Sequence, residues 1–373
     1  MVRNAHRKRD QTSMATGTTA ASRLAVERWE SLREGLRYKD VWNVIGLPLM
    51  ILIMVVFFSG QSDFFFTEGN FENIGRNIFA IALLAVGQAF VIVLGEIDIS
   101  VGAIVGLTSV LVAMSVEQWG AVGALAAPLV GLTVGFVNGF IITYFNVHSV
   151  IVTIGTLTAV RGLGFTITNG TPVVVDFPPA LTWLGTGMVG PLPAALVITI
   201  VVFVIAAFVF RSSTFGPKLY ATGGNSEAAR LAGLKTQRIK VIAFMISGLL
   251  AGLAGLIYSG RISSGQPTLG AGLELQAIAA AVVGGMALTG GRGTIGGVAL
   301  GVLLLTILSN GLEISNVSSY LKELVSGIVI LLAVMLDRVR SRGTTGKRAS
   351  AMRARAAPPP AGEPPEPLTE RPG

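Results

Sequence analysis

Cysteine is absent from the 373 residues, which excludes a disulfide framework, a thiolate metal site and a cysteine nucleophile together. Histidine occurs only twice, as His6 near the start and His148 at the edge of an apolar run, so neither a zinc constellation nor a Ser-His-Asp arrangement can be assembled. A phosphate-binding loop is missing too. The one Gly-Lys pair, Gly346-Lys347, is followed by Arg348, where the motif needs Ser or Thr. Charge is equally scarce: Asp, Glu, Lys and Arg make up 13% of the chain, against about 25% in an ordinary soluble domain. These deficits leave no expected catalytic residue, metal or bound cofactor, and an enzyme reading has little support.

What is abundant is apolar surface. Hydrophobic residues make up 51% of the chain, and the mean hydropathy is +0.69. A soluble fold of this composition would lack the polar surface to cover its exterior. The chain is therefore expected to be solvated mainly by lipid. The formal charge of +8 could suggest nucleic acid, but its placement argues otherwise. Lys and Arg number 9 in residues 1–40, 6 in 211–240 and 8 in 338–373, or 23 of the 28. Basic clusters beside apolar segments mark cytoplasmic faces, so membrane lipid is the expected partner and nucleic acid is not.

A bilayer core about 30 Å thick takes roughly 20 apolar residues per helix. About ten such windows can be placed, at residues 41–58, 77–94, 99–116, 120–145, 149–166, 194–210, 239–259, 273–288, 294–308 and 320–336. An even number puts both basic ends and the loop 211–238 on one side. That loop holds five basic residues against the single acid Glu227. Loops assigned to the other side carry Asp63, Glu68, Glu72, Glu117 and Asp176, as the positive-inside rule expects. The fold class is all-α, a polytopic bundle with three parts: a basic cytoplasmic tail at 1–40, a transmembrane domain at 41–338, and a basic, Pro-rich cytoplasmic tail at 339–373 with too little apolar surface to fold. Residues 1–40 have no apolar core of a secretory signal. Residues 25–37 read either as an amphipathic helix lying on the cytoplasmic leaflet or as a solvated charged helix.

Small residues four apart recur in the apolar runs: Gly131, Gly135 and Gly139; Gly102 and Gly106; Gly248 and Gly252; Gly297 and Gly301. They read as intramolecular packing faces between closely approaching helices.

Two segments carry candidate function. In Gly95-Glu96-Ile97-Asp98-Ile99-Ser100 carboxylates interrupt apolar sequence, where charge is costly unless it reaches water, a partner or a cavity. Glu96, Asp98 and Ser100 either belong to a translocation path or gate, or Asp98 and Ser100 cap the next helix. Arg161, inside an apolar run, either snorkels to the interface or lines a polar path. In the loop 211–238, Asn225 is a plausible N-cap for a short helix over Ser226-Glu227-Ala228-Ala229-Arg230, and Gly233 a plausible stop. That helix is either a docking peg or a connector.

The stretch from Val91 through Gly95-Glu96-Ile97-Asp98-Ile99-Ser100 to Gly102 resembles the signature of ribose- and xylose-type sugar permeases of ATP-binding-cassette importers. So, in the same order, do Ile151-Val152-Thr153-Ile154-Gly155-Thr156 leading to Arg161-Gly162, the loop from Gly224 to Gly233, the run Glu274-Leu275-Gln276-Ala277 on to Gly290-Gly291-Arg292-Gly293, Asn310-Gly311-Leu312 and the closing Met335-Leu336-Asp337. The similarity covers about residues 41–338. It implies a type II-like permease fold in a bacterial plasma membrane, with both termini cytoplasmic.

The partners implied are a second permease subunit, identical or related, ATPase subunits that bind ATP and Mg, and a periplasmic or lipid-anchored sugar-binding protein. Asn225, Glu227, Ala228, Ala229, Arg230 and Gly233 would form the helix that couples to the ATPase. Neutral sugars need only a polar, transient lining, for which Asn138, Thr153 and Thr156 join Glu96, Asp98, Ser100 and Arg161 as candidates. Many family members carry Gly where this chain has Glu96, and the Glu form leans toward a pentose such as xylose or ribose. The resemblance implies import of a small sugar, pentose or hexose, by alternating access; a related permease for branched-chain amino acids or another small polar solute is the alternative. A proton- or sodium-coupled carrier would place more ionisable residues inside its spans.

Overall fold

The computed structural model describes residues 38–318 and, with interruptions, 320–335; both basic tails, the helix considered over 25–37 and much of the last expected span lie outside the described residues. The chain divides into two units, residues 1–53 and 54–373. Described in the first is the opening of α1 (Tyr38–Gln61), which contains Pro48 and exposes Ile45, Met50, Leu52 and Ile53.

The second unit carries the rest of α1 and then α2 (Glu68–Ile92), α3 (Val101–Trp119), a 3-10 turn (Gly120–Leu125), α4 (Ala126–Tyr144), α5 (Ser149–Thr168), α6 (Pro179–Thr186), α7 (Ala194–Ser212), α8 (Phe215–Gly224), α9 (Ser226–Leu231), α10 (Thr236–Ile262), α11 (Leu273–Val283) and α12 (Ile295–Ile314). Two antiparallel pairs of two-residue strands complete it, β1 (Val173–Val174) with β4 (Ser264–Gly265) and β2 (Met188–Val189) with β3 (Leu192–Pro193).

Caps, rather than hydropathy, set the helix ends. Thr67 accepts the Asn70 N–H and Glu68 occupies the first turn, both favourable at a helix N-terminus, so α2 begins nine residues before the expected 77. After α3 the backbone turns at Gly120, with φ +58. Gly123 then packs so tightly on Ser115 that a Cβ would strike its backbone. Residues 101–144 therefore fold back as two helices, where a straight run would measure about 66 Å, twice the bilayer core.

The reading of 273–288 as a full span does not hold. α11 has 11 residues, about 16 Å. Gly285 (φ +94) closes it, its N–H reaching Val282 O while the Met286 N–H reaches Ala281 O, a Schellman stop. Among the described residues, six helical stretches have the length and composition to cross a membrane: α2, the run 101–144, α5, α7, α10 and α12.

The centre is α10, which packs on α2, α3, α4 and α6. The glycine steps are intramolecular packing faces, as expected. A Cβ at Gly131 would meet Gly248 O, one at Gly135 Phe244 O, and one at Gly139 Val241 Cα, so α4 lies backbone to backbone on α10. Gly297 and Gly301 face Gly284 and Ala280 in the same way. Asn70 and Asn310 exchange side-chain amide bonds of 3.2 and 2.8 Å, joining α2 to α12 in the interior. Large apolar side chains point outward instead, among them Val204, Ile205 and Phe208 of α7 and Leu129 and Phe140 of α4. On a water-solvated surface so much exposed apolar area would be a liability.

Candidate functional site

The acidic segment is the turn between α2 and α3. Gly95 takes φ +78, and the N–H groups of Gly95 and Glu96 bond back to Ile92 O and Val91 O, which turns the chain inward. Asp98 is wholly buried. Its Oδ1 accepts from the Ser100 N–H at 3.1 Å and the Ser100 hydroxyl at 2.6 Å; its Oδ2 accepts from Ser247 Oγ of α10 at 2.9 Å. Ser100 Oγ in turn accepts from Asn138 Nδ2 of α4 at 2.9 Å, and Asn138 Oδ1 accepts from Thr156 Oγ1 of α5 at 2.6 Å. One continuous polar chain, Ser247–Asp98–Ser100–Asn138–Thr156, thus crosses three helices and the turn. Gln88 of α2 donates to the Asp98 carbonyl. The N-cap of α3 is Ser100, whose side chain makes no capping bond; the Asp98 carboxylate holds the Ser100 N–H just ahead of the helix, and that is only one of the bonds it makes.

The other path candidates surround this chain. Ser149 Oγ accepts the Ile97 N–H at 3.2 Å, and Thr153 Oγ1 is bonded to Ser149 O at 2.9 Å beside Ile97 O. Glu96 points away from the network to Lys240 near the start of α10, with Nζ 2.5 Å from Oε1. Arg161 lies one and a half turns beyond Thr156 on α5, and its Nη2 is 3.6 Å from Oε1 of Glu274 on α11. Asp98, Ser100, Asn138 and Thr153 are fully enclosed; Thr156 and Arg161 are partly exposed.

The loop helix takes the expected form. Asn225 Oδ1 accepts the Ala228 N–H at 3.0 Å and caps α9. At the other end Gly233 adopts φ +86, its N–H reaching Arg230 O while the Leu234 N–H reaches Ala229 O, a Schellman stop. Ala229 is buried, and Leu231 is 76% exposed. Glu227 and Arg230 form an exposed pair with bonds of 3.1 and 2.6 Å. Hydrogen bonding and the charge of Arg230 hold the Glu227 carboxyl below its ordinary range. This corner is anchored to the acidic turn: the Gly291 N–H donates to Val93 O at 2.7 Å, and a Cβ at Gly223 would strike that same carbonyl. Tyr220 Oη donates to Gly293 O at 2.8 Å.

Sequence reasoning missed Gln88, Lys240, Ser247 and Glu274. Gln88 and Ser247 are single polar residues within the apolar stretches 78–92 of α2 and 241–257 of α10 and are wholly buried. Such residues are expected to find partners, and that alone could have flagged them.

Six apolar helical stretches, apolar residues facing outward and hydrogen-bonded polar residues enclosed define a multi-pass helical membrane protein. The family described as "Branched-chain amino acid transport system / permease component" matches residues 70–334, and the chain belongs to it. It is similar to the probable ABC transporter permease protein YphD of Escherichia coli K12, at 38% identity over 82% of this chain and 93% of the relative. It is similar also to the ribose import permease protein RbsC of Bacillus subtilis 168, at 38% identity over 85% of this chain and 100% of the relative. The L-arabinose ABC transporter permease protein AraH of Azospirillum brasilense is 36% identical over 80% of this chain and 90% of the relative. No solved structure matches the chain. As a permease component the chain is a transport protein and not an enzyme.

Proposed function

We propose that the chain is the membrane-spanning subunit of an ATP-binding-cassette importer for a pentose. The observation that carries the reading is full-length similarity to relatives named for ribose and L-arabinose, both five-carbon sugars. It outweighs the broader family description, which names branched-chain amino acids. The geometry supports it in two ways. The permease has no nucleotide-binding motif, so energy must arrive from a partner, and the capped helix α9 offers an exposed, rigid projection on which an ATPase subunit could dock. α8, which α9 directly follows, abuts Val93 at the end of α2 through Gly223, with Gly291 bonded to the same carbonyl, so force on α9 would reach the turn that carries Asp98 by way of α8.

In this reading the basic loop 211–238 and both tails are cytoplasmic, and a second permease subunit completes the pathway. A sugar-binding protein delivers the substrate. Glycine-packed pairs such as α4 with α10 move as stiff bodies, because close-packed interiors transmit displacement instead of absorbing it. The finer count of about ten crossings belongs to the same proposal, with 101–144 contributing two and α11 only part of one.

The test is reconstitution of the permease with an ATPase and a sugar-binding protein from its own organism, followed by ATP-dependent uptake of labelled D-ribose, L-arabinose, D-xylose and L-leucine. Saturable pentose uptake that requires ATP is expected. Uptake of leucine without any pentose would remove the sugar reading, and uptake without ATP would remove the importer reading.

A further inference from the structure

The segment 263–272 joins α10 to α11 without forming a helix, and it is packed along α3. Ser109 Oγ both donates to Gln266 O and accepts the Gln266 N–H, each at 3.1 Å. A Cβ at Gly106 would meet Pro267 O and Leu269 O; one at Gly102 would meet Gly270 O and the Glu274 carboxylate. Irregular backbone of this kind is tolerated among membrane helices only where protein buries it or it borders a polar path. α11 starts where the segment ends, after Gly270 (φ +83) and Gly272 (φ +81), and its N-cap makes no side-chain bond. Beside this start stands Arg161, about 18 Å along α5 from Ser149 at 1.5 Å per residue.

Arg161 and Glu274 are an incomplete pair. At 3.6 Å their approach is an ion contact, longer than a hydrogen bond. Arg161 Nη2 and Glu274 Oε2 are both buried without any hydrogen-bond partner. The Glu274 side chain is 9% exposed and that of Arg161 29%; Nη2 and Oε2 are themselves enclosed, and it is the rest of the Arg161 side chain that reaches the surface. Buried polar atoms are normally satisfied, and an orphaned donor and acceptor side by side call for an explanation. On the flank of α5 beside Arg161, exposed Gly155, Thr158, Gly162 and Thr166 alternate with exposed Ile151, Ile154 and Phe165, and a Cβ at Gly155 or Gly162 would touch nothing within 4 Å. Thr158 is one turn from Arg161 and shares its side of the helix.

We infer that Arg161 and Glu274 form a hydroxyl-binding step for the transported sugar, at the point where α11 begins. The inference rests on the pentose-importer reading above. A carboxylate accepts from a sugar O–H and a guanidinium donates to a neighbouring sugar oxygen, so two adjacent hydroxyls complete both orphaned valences while the ion contact persists. The site takes neutral polyols. Its occupancy is transient, since the two charges keep each other and bind only through what each leaves unmade.

The test uses the whole reconstituted importer with Glu274→Gln, Arg161→Lys and the charge exchange R161E/E274R, comparing uptake of D-ribose and 2-deoxy-D-ribose with ATPase rate and membrane content. With the same binding protein throughout, a change in the ratio of the two sugars reports the permease. Losing one hydrogen bond per sugar predicts a fall of about three- to tenfold in ribose uptake and a shrinking ratio, with ATPase rate and membrane content retained in both single variants. Restoration of rate and ratio by the charge exchange would assign the pair a structural role only and overturn the inference. So would unchanged uptake and ratio in both single variants, or a loss matched by ATPase rate and membrane content. Absence of pentose uptake by the unaltered importer would instead remove the underlying reading.

Discussion

Ser247, eleven residues into α10, donates its hydroxyl to Oδ2 of Asp98 across 2.9 Å, tying the central helix to the turn between α2 and α3. Since both Asp98 oxygens accept bonds and the side chain is wholly enclosed, the residue fixes where α3 begins relative to α10. Replacing it with Ala leaves the Ser100 and Ser247 hydroxyls and the Ser100 N–H in search of acceptors, at about 1–3 kcal/mol for each that stays unpaired. Asp98→Asn keeps the shape with one oxygen acceptor fewer, and the expected loss is smaller. Thermal unfolding of the purified permease orders the two, and uptake by Asp98→Asn separates roles. Impaired uptake at normal membrane content is expected if the network moves during transport; a wild-type rate assigns Asp98 to capping and bracing alone.

Much of the bundle was legible because apolar runs of span length are hard to hide: α5, α7 and α12 begin within one residue of where hydropathy placed them. The break at α11 was not legible from hydropathy, because 277–288 is apolar throughout while the backbone turns at Gly285. Left-handed glycines bound the helix by conformation, Gly270 and Gly272 before its start and Gly285 after its end, and composition does not register that. The candidate site was half legible. Asp98, Ser100, Asn138 and Thr156 do meet, but Gln88 and Ser247, which complete the network, are lone polar residues whose partners lie up to 149 positions away. The loop helix was the most readable feature, since its caps are local.

The glycine faces make opposite predictions at two positions. Gly135→Ala drives a methyl into Phe244 O, and overpacking of this kind costs about 1–3 kcal/mol. Gly155→Ala adds the same methyl where nothing lies within 4 Å, and a helix gains about 0.5–1 kcal/mol from the exchange. Unfolding temperatures measured side by side should move in opposite directions. Equal shifts would mean that α4 and α10 do not approach as closely as described.

Glu227 and Arg230 are exposed, so their bonds add little to stability, and substitution should leave insertion intact. Glu227→Ala or Arg230→Ala is expected to uncouple uptake from ATP hydrolysis in the assembled importer, because each removes charge from the projection that an ATPase subunit would grip. Unchanged uptake in both would demote α9 to a connector. The pair should add no pH dependence near neutrality. Its carboxyl is depressed, so its contribution is complete above the ordinary carboxylate value and fades only as pH falls through the lower folded one, outside about pH 5–8.

Glu96 resembles the acid of xylose-type permeases, yet its partner Lys240 gives it a structural reason to be acidic. Lys240 lies 2.5 Å away, with side chains only 23% and 14% exposed for Lys and Glu. Removing one member leaves a partly buried charge without its counterion, at about 1.5–3 kcal/mol for a bond to a charged group. Removing both spares that penalty, because the stranded charge is gone. Glu96→Gln and Lys240→Met should each lower the unfolding temperature, and the double variant should recover most of the loss. Additive losses would show that the two side chains do not depend on each other. Should the double variant also keep its preference among ribose, arabinose and xylose, the acid at position 96 answers to Lys240 and not to the sugar.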